Sequence, residues 1–342
     1  MRYIGADVHK NYTIFAVLTQ EGKVEQRTRI ENDAQALREF LGGLPKPAHL
    51  VVEAGYHWQP FYEVVEELDL AVSLAHPLKV KMIAEARIKT DTIDAATLAH
   101  LLRLNYLPTA YIPPREVRDL RETLRHRARL VKTQTMVKNR IHALLAKNGI
   151  RHKFSDLFGK AGRQFLKRLH LRPCYQFALK QLLALLDTLD GLIKEVTEVI
   201  EEEAKATPEA RLLTTIPGIG YYSALLILAE IGDINRFPSA KKLCSWAGLV
   251  PSTHSSGGRT YHGHLTKQGS RWLRWILTQA APHAVRGSSQ LGALYQRVAR
   301  RGGRNAAKMA VARQMLMIIH RMLVRGEPFR DRNHCRPSPY SF

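Results

Sequence analysis

The 342-residue chain is 45% hydrophobic and carries a formal net charge of +22. That apolar content supports true cores and excludes a disordered chain, while the charge points to a polyanionic partner, either nucleic acid or an anionic membrane surface. Cys174, Cys244 and Cys335 lie far apart and odd in number, which excludes a disulfide framework or a cysteine metal site and fits a reducing cytoplasm.

The charge is segregated. Residues 1–100 have a net charge of −3, residues 101–175 of +14, residues 176–235 of −6 and residues 236–342 of +17. Two separate basic blocks can each neutralise a length of phosphate backbone.

The first zone reads as α/β. RYIGADVHKNYTIFAVLT has the pattern of strand, turn and strand, and KVEQRTRIEN that of a third strand. DAQALREFLGGL is a short helix with Asp33 near its cap position. AHLVVEAG is a continuous apolar strand of the kind found in a covered sheet. PFYEVVEELD then reads as a helix and LAVSLAHP as a strand. Three antiparallel strands followed by β-α-β-α is the order of a ribonuclease-H-like fold.

Four acids fall at the critical places of that order: Asp7 in the first strand, Glu53 at the end of the fourth, and Asp91 and Asp94 at the start of the next helix. In such a sheet the first and fourth strands are neighbours. Four carboxylates brought together raise one another's pKa unless a cation lies between them. Hard cations take oxygen ligands, and magnesium suits a site beside phosphate. Each acid alone is ordinary strand-end or helix-start chemistry. A sugar-kinase or actin-like ATPase shares the fold, but the turn DVHKN lacks the glycines of a phosphate loop.

From residue 115 to 147 the pattern is one long helix. Arg118, Arg121, Arg125, Arg129 and Lys132 repeat every three or four residues and form a stripe, read here as facing phosphate. Leu179, Leu182, Leu186, Leu189, Ile193, Val196 and Ile200 follow an a/d heptad, either an antiparallel hairpin against the basic helix or a subunit interface. The apolar run YYSALLILAEIG is too short to cross a bilayer and contains Glu230. Asp7 and Lys10 come too early for a signal peptide. No membrane role is expected.

In TTIPGIGYYSALLILAEIG, Gly218 and Gly220 form a tight turn between helices, like a helix-hairpin-helix whose amides meet a backbone phosphate. The segment WAGLVPSTHSSGGRTYHGHLTKQGSRWLRWIL reads as a Ser/Gly-rich loop between apolar segments, with Arg259, Lys267 and Arg271 close to Ser255 and Ser256. A serine needs a base, a metal or a cationic site before it attacks phosphorus.

These motifs together resemble the DEDD-type transposases of the insertion-sequence one-ten family, which includes the Piv-type DNA invertases. YIGADVHK, VVEAGY, KTDTIDAATLA, IPGIG, WAGLVPSTHSSGG and LTKQGSRWLRWIL stand in the family's order over nearly the whole chain. The resemblance implies a RuvC-like, ribonuclease-H-like catalytic domain over residues 1–112, a basic helix and coiled-coil segment over 113–207, a mainly helical transposase domain over 208–330 and a tail over 331–342. It implies the acid tetrad Asp7, Glu53, Asp91 and Asp94 with Mg2+, and a nucleophilic serine before a glycine. That serine is Ser256, with Ser255 as the alternative register. It further implies donor and target double-stranded DNA, a structured bridge RNA from the same element that supplies specificity by base pairing, a homo-oligomer (dimer or tetramer), and a cytoplasmic, nucleoid-associated setting. Here the loop after Glu53, EAGYHW, is one residue shorter than is usual in the family. The other readings are a metal-dependent structure-specific nuclease using the acids alone, and a non-catalytic nucleic-acid-binding protein.

Overall fold

The computed structural model describes residues 1–83 and 91–331. The chain divides into two compact units, Met1–Pro113 and Pro114–Phe342. The tail expected over residues 331–342, and Cys335 within it, lie outside the described residues apart from Asp331.

The first unit contains β1 (Arg2–Val8), β2 (Tyr12–Leu18), β3 (Val24–Glu31), α1 (Ala34–Gly42), β4 (Ala48–Glu53), α2 (Trp58–Glu67), β5 (Ala71–Ala75), α3 (Pro77–Ile83), α4 (Asp91–Arg103) and β6 (Thr109–Ala110). The sheet order is β3-β2-β1-β4-β5-β6. β1, β2 and β3 form an antiparallel meander, β4 and β5 join parallel to β1, and the short β6 closes the edge antiparallel to β5. The expected strand order is present, with α3 and β6 added to it.

Alternation along the strands decides which layer each side chain enters. Ile4, Ala6, Phe15, Leu50 and Val52 join Leu37, Leu41, Phe61 and Val65 of α1 and α2 in one core. On the other face Ala16 and Leu18 meet Ala95, Ala96 and Ala99 of α4. Asp33 caps α1 as its position promised, its carboxylate accepting from the amides of Gln35 and Ala36.

The second unit contains α5 (Arg115–Lys147), α6 (Lys160–Arg168), α7 (Pro173–Ala206), α8 (Pro208–Thr214), α9 (Tyr221–Ile231), a 3-10 turn (Ile234–Arg236), α10 (Ala240–Trp246), β7 (Pro251–Ser256), β8 (Arg259–Leu265), α11 (Arg271–Gly287) and α12 (Ser289–Arg325). α5 and α7 form an antiparallel hairpin. Val137, Ile141 and Leu145 of α5 pack with Leu179, Leu183 and Leu186 of α7, while Leu124 sits with Ile200 and Ala204 at the opposite end. Across the pair, Arg127 donates to the Thr197 hydroxyl at 2.8 Å. The buried heptad residues of α7 therefore pack against α5 within the chain. No helix among the described residues is long and apolar enough to cross a membrane.

Candidate active site

The register of β1 and β4 pairs Ile4 with Leu50 and Ala6 with Val52. Asp7 and Glu53 are the next residues on the two strands, side by side at their carboxyl ends. Their face follows from their neighbours. A Cβ added to Gly5 would lie 1.8 Å from the Ala95 carbonyl oxygen, so Gly5 faces α4. Asp7, two residues on, shares that face. Val51 packs against Leu98 and Leu101 of α4, so Glu53 shares it too.

Gly5, Ala95 and Ala99 are small, and this lets α4 lie close on the sheet. Asp94 is half-buried and directly precedes Ala95. Asp91 is the first residue of α4, and its side chain lies outside the described residues. Among the described side chains, no group of three or more His, Cys, Asp and Glu is placed to hold a metal ion. The donor set nonetheless has the chemistry of a hard-cation site: two carboxylates in register on one face, under a helix that begins with two more. One neighbour was not foreseen. The His9 ring nitrogen Nε2 lies 3.1 Å from Asp7 Oδ2. The D-x-H spacing places both on one side of the strand and was the available signal.

The serine segment is a two-stranded hairpin, which corrects the loop reading. Ser255 pairs with Thr260 and Ser256 with Arg259. Gly257 and Gly258 turn the chain with φ of 56° and 76°, the double left-handed conformation of a type I′ turn. The Ser255 hydroxyl is 2.8 Å from that of Thr260. Ser256 is exposed beside the turn and makes no side-chain hydrogen bond among the described residues. Arg259, Lys267 and Arg271 are likewise exposed.

The base of this hairpin is fixed tightly. Added Cβ atoms would lie 2.4 Å from the Gln268 carbonyl oxygen at Gly248 and 2.1 Å from the Trp246 carbonyl oxygen at Gly269, and both glycines have positive φ. Arg274 Nη1 donates to the carbonyls of Ala247 at 3.0 Å, Gln268 at 2.5 Å and Gly269 at 3.2 Å. Burial lowers the pKa of this guanidinium. Ser270 caps α11 through the amides of Trp272 and Leu273, and its hydroxyl donates to Glu230 Oε2 at 2.8 Å.

A family model described as Transposase IS116/IS110/IS902 family matches residues 210–296, and a second model, a DEDD-type transposase of the IS110 group, matches residues 4–148. The chain is 30% identical over 292 residues to the transposase for insertion sequence element IS1328 of Yersinia enterocolitica, covering 81% of this chain and 82% of that protein. This chain belongs to the IS110 family of transposases. It is also similar to the transposase for insertion sequence element IS1111A of Coxiella burnetii, at 27% identity over 96% of this chain and 92% of the relative. The pilin gene-inverting protein of Moraxella bovis is 25% identical over 97% of this chain and 98% of its own length.

In this transposase the arginine stripe of α5 is not a phosphate-facing surface along its first half. Arg118 is buried. Arg121 donates to the carbonyls of Ala229 at 2.6 Å and Glu230 at 3.1 Å. Arg125 donates to Glu230 Oε1 through Nε at 3.0 Å and Nη2 at 2.7 Å, and that carboxylate is 2% exposed. The reason is the end of α9. Its terminal carbonyls and the Glu230 carboxylate are buried acceptors that require donors. Arg129 is exposed and paired with Glu122, and Lys132 is exposed.

α8 and α9 form the anticipated helical hairpin, but its two glycines differ. Gly218 has φ +85°, and an added Cβ would lie 2.7 Å from the His283 Cβ and 2.9 Å from the Ala280 carbonyl oxygen, so it is needed for packing on α11. Gly220 caps α9, is exposed, and an added Cβ there would meet nothing within 4 Å.

Proposed function

We propose that this transposase cuts and rejoins donor and target DNA through a metal-binding acid tetrad and a serine–DNA intermediate, guided by a structured RNA. The observation that carries the reading is the register of Asp7 and Glu53 on the face covered by α4. The order β3-β2-β1-β4-β5 supports a ribonuclease-H-like assignment for the first unit. Residues 1–112, 113–207 and 208–330 serve as catalytic, helical and transposase domains in this account, with residues 331–342 as a tail.

Asp7, Glu53, Asp91 and Asp94 would hold Mg2+, which when bound supplies charge stabilisation at a scissile phosphate. His9 orients the Asp7 carboxylate. Ser256 Oγ attacks phosphorus, and the bond to the leaving deoxyribose oxygen breaks as the Oγ–P bond forms. The serine proton is lost and the leaving oxygen gains one. Arg259 stands opposite Ser256 across the turn, where its fixed charge balances that of the phosphate. The exposed Gly220 end of α9 and the cations Arg129, Lys267 and Arg271 contribute phosphate contacts. Two basic blocks in one chain fit separate engagement of RNA and DNA. Assembly as a homo-oligomer completes the proposal.

The test is strand cleavage by purified protein with its RNA, duplex DNA and Mg2+. Asp7→Asn and Asp94→Asn should each abolish cleavage while duplex binding stays within about threefold of wild type. Cleavage that survives either change, or persists undiminished in EDTA, would refute the acid site.

A further inference from the structure

A cluster of charge that the fold does not use lies on α12. That helix carries eight Lys and Arg and no Asp or Glu from Ser289 to Arg325. Its carboxyl-terminal half is held by buried Val311, Met315, Leu316 and Ile319. Residues 300–306, by contrast, are all exposed. Arg297, Arg300, Arg301 and Arg304 fall in or beside this stretch, are all exposed, and none forms an ion pair among the described residues.

The backbone is unusual at the same place. Gly303 has φ 78° and ψ 173° inside the helix, a region open almost only to glycine. An added Cβ there would meet nothing within 4 Å. Leu291 before the kink and Val311, Met315 and Leu316 after it join one core, so both parts of α12 pack there while the arginine stretch between them stays exposed. At Gly302 an added Cβ would lie 3.2 Å from the Ala306 Cβ, so the chain closes on itself across the break.

Four guanidiniums within eight residues repel one another. Arg297, Arg300 and Arg301 lie on the helix before the break, within about 6 Å of one another along its axis, inside the screening length of about 10 Å at about 0.1 M salt. A fold that needed these residues only for solubility would gain from interspersed acids. The arginines of α5 show the alternative, since Arg121, Arg125 and Arg127 all bond to protein acceptors. An acid-free, exposed arginine cluster at a kink fits a partner that brings many regularly spaced anions.

We propose that residues 297–308 of α12 bind the phosphodiester backbone of duplex DNA, with the Gly303 kink setting the angle at which the arginines before and after it meet the phosphates. Duplex DNA is chosen over RNA because the family's substrate is DNA. The contacts go to phosphate, so the site positions the duplex without reading its sequence.

The experiment is salt-dependent binding of the full-length protein to a duplex of about 20 base pairs, with a structured RNA hairpin as a parallel arm. The quadruple variant Arg297→Gln, Arg300→Gln, Arg301→Gln, Arg304→Gln should lower the slope of log affinity against log salt by about 3 to 4 on duplex DNA. All four positions are exposed, so its melting temperature should match wild type. Gly303→Ala keeps every charge and should weaken duplex binding at fixed salt by at least about threefold. An unchanged duplex slope in the quadruple variant overturns the proposal, as does a change confined to the RNA arm. Duplex affinity equal to wild type in Gly303→Ala overturns the role given to the kink.

Discussion

Gly5→Ala tests whether the close approach of α4 to the sheet is what makes the acid site. The added methyl would lie 1.8 Å from the Ala95 carbonyl oxygen, 2.8 Å from the Ala95 carbonyl carbon and 3.0 Å from the Ala99 amide nitrogen. These are all backbone atoms, so no side-chain rotation relieves the clash. The helix must retreat by about 1 Å, and overpacking of this kind costs about 1–3 kcal/mol. The opposing effect, loss of glycine's unfolded-state freedom, favours alanine by only about 0.5–1 kcal/mol, so overpacking wins and the variant loses up to about 2 kcal/mol. Function should suffer more than stability. Asp94 moves with α4, and a displacement of about 1 Å at a reacting centre can cost about 100-fold in rate. Denaturant melts and single-turnover cleavage of a labelled duplex read the two effects separately. Because the clash is with a carbonyl oxygen, Ala95→Gly should not restore activity. Wild-type cleavage by Gly5→Ala would show that the spacing of α4 from β1 is irrelevant to the chemistry.

Other expectations follow from buried groups. Glu230→Ala leaves Arg125 and the Ser270 cap without their carboxylate and should cost about 3 kcal/mol. That corresponds to roughly 6 to 12 °C in melting temperature, since each kcal/mol is worth about 2–4 °C in a unit of this size; a shift under about 2 °C would discount the network. Arg274→Met removes the Nη1 donor that three carbonyls share at the base of the hairpin; protein–DNA adduct formation should slow at least tenfold at saturating DNA, about 1.4 kcal/mol in barrier, and an unchanged rate would sink the clamp. His49 and His100 are both held below their usual 6.5 by burial, His100 also by Arg103. The unfolded chain takes up those protons first, so stability is full above about pH 6.5 and falls as pH drops below it. Melting curves between pH 5 and pH 8 should flatten in His49→Gln/His100→Gln, and equal slopes in variant and wild type would contradict this.

The parts of this molecule visible in the sequence are those where one periodicity has one cause. The strands β1, β2 and β4 had to bury apolar faces, and their patterns gave the sheet that sets Asp7 beside Glu53. The heptad of α7 was equally plain, and packing rather than pattern decided that α5 covers it. The serine hairpin was hidden because most of β7 and β8 is exposed, so no apolar alternation marks them. Only the Gly257-Gly258 turn signalled it. The stripe from Arg118 to Arg129 misled for the opposite reason. A cationic stripe reads the same whether it faces phosphate or a buried carboxylate, and Glu230 lies 105 residues from Arg125 in sequence. The role of Gly5 was invisible, because the atom it must avoid belongs to a helix 90 residues further on.

The central claim is that Ser256 joins covalently to DNA. Wild-type protein with its RNA, Mg2+ and a nicked suicide duplex should give a detergent-stable adduct, and peptide mapping should place the phosphodiester on Ser256. Ser256→Ala should give none, whereas Ser255→Ala should keep most of it, since the Ser255 hydroxyl is engaged with Thr260. Recombined DNA without any adduct, or an adduct that maps to another residue and persists in Ser256→Ala, would contradict the account.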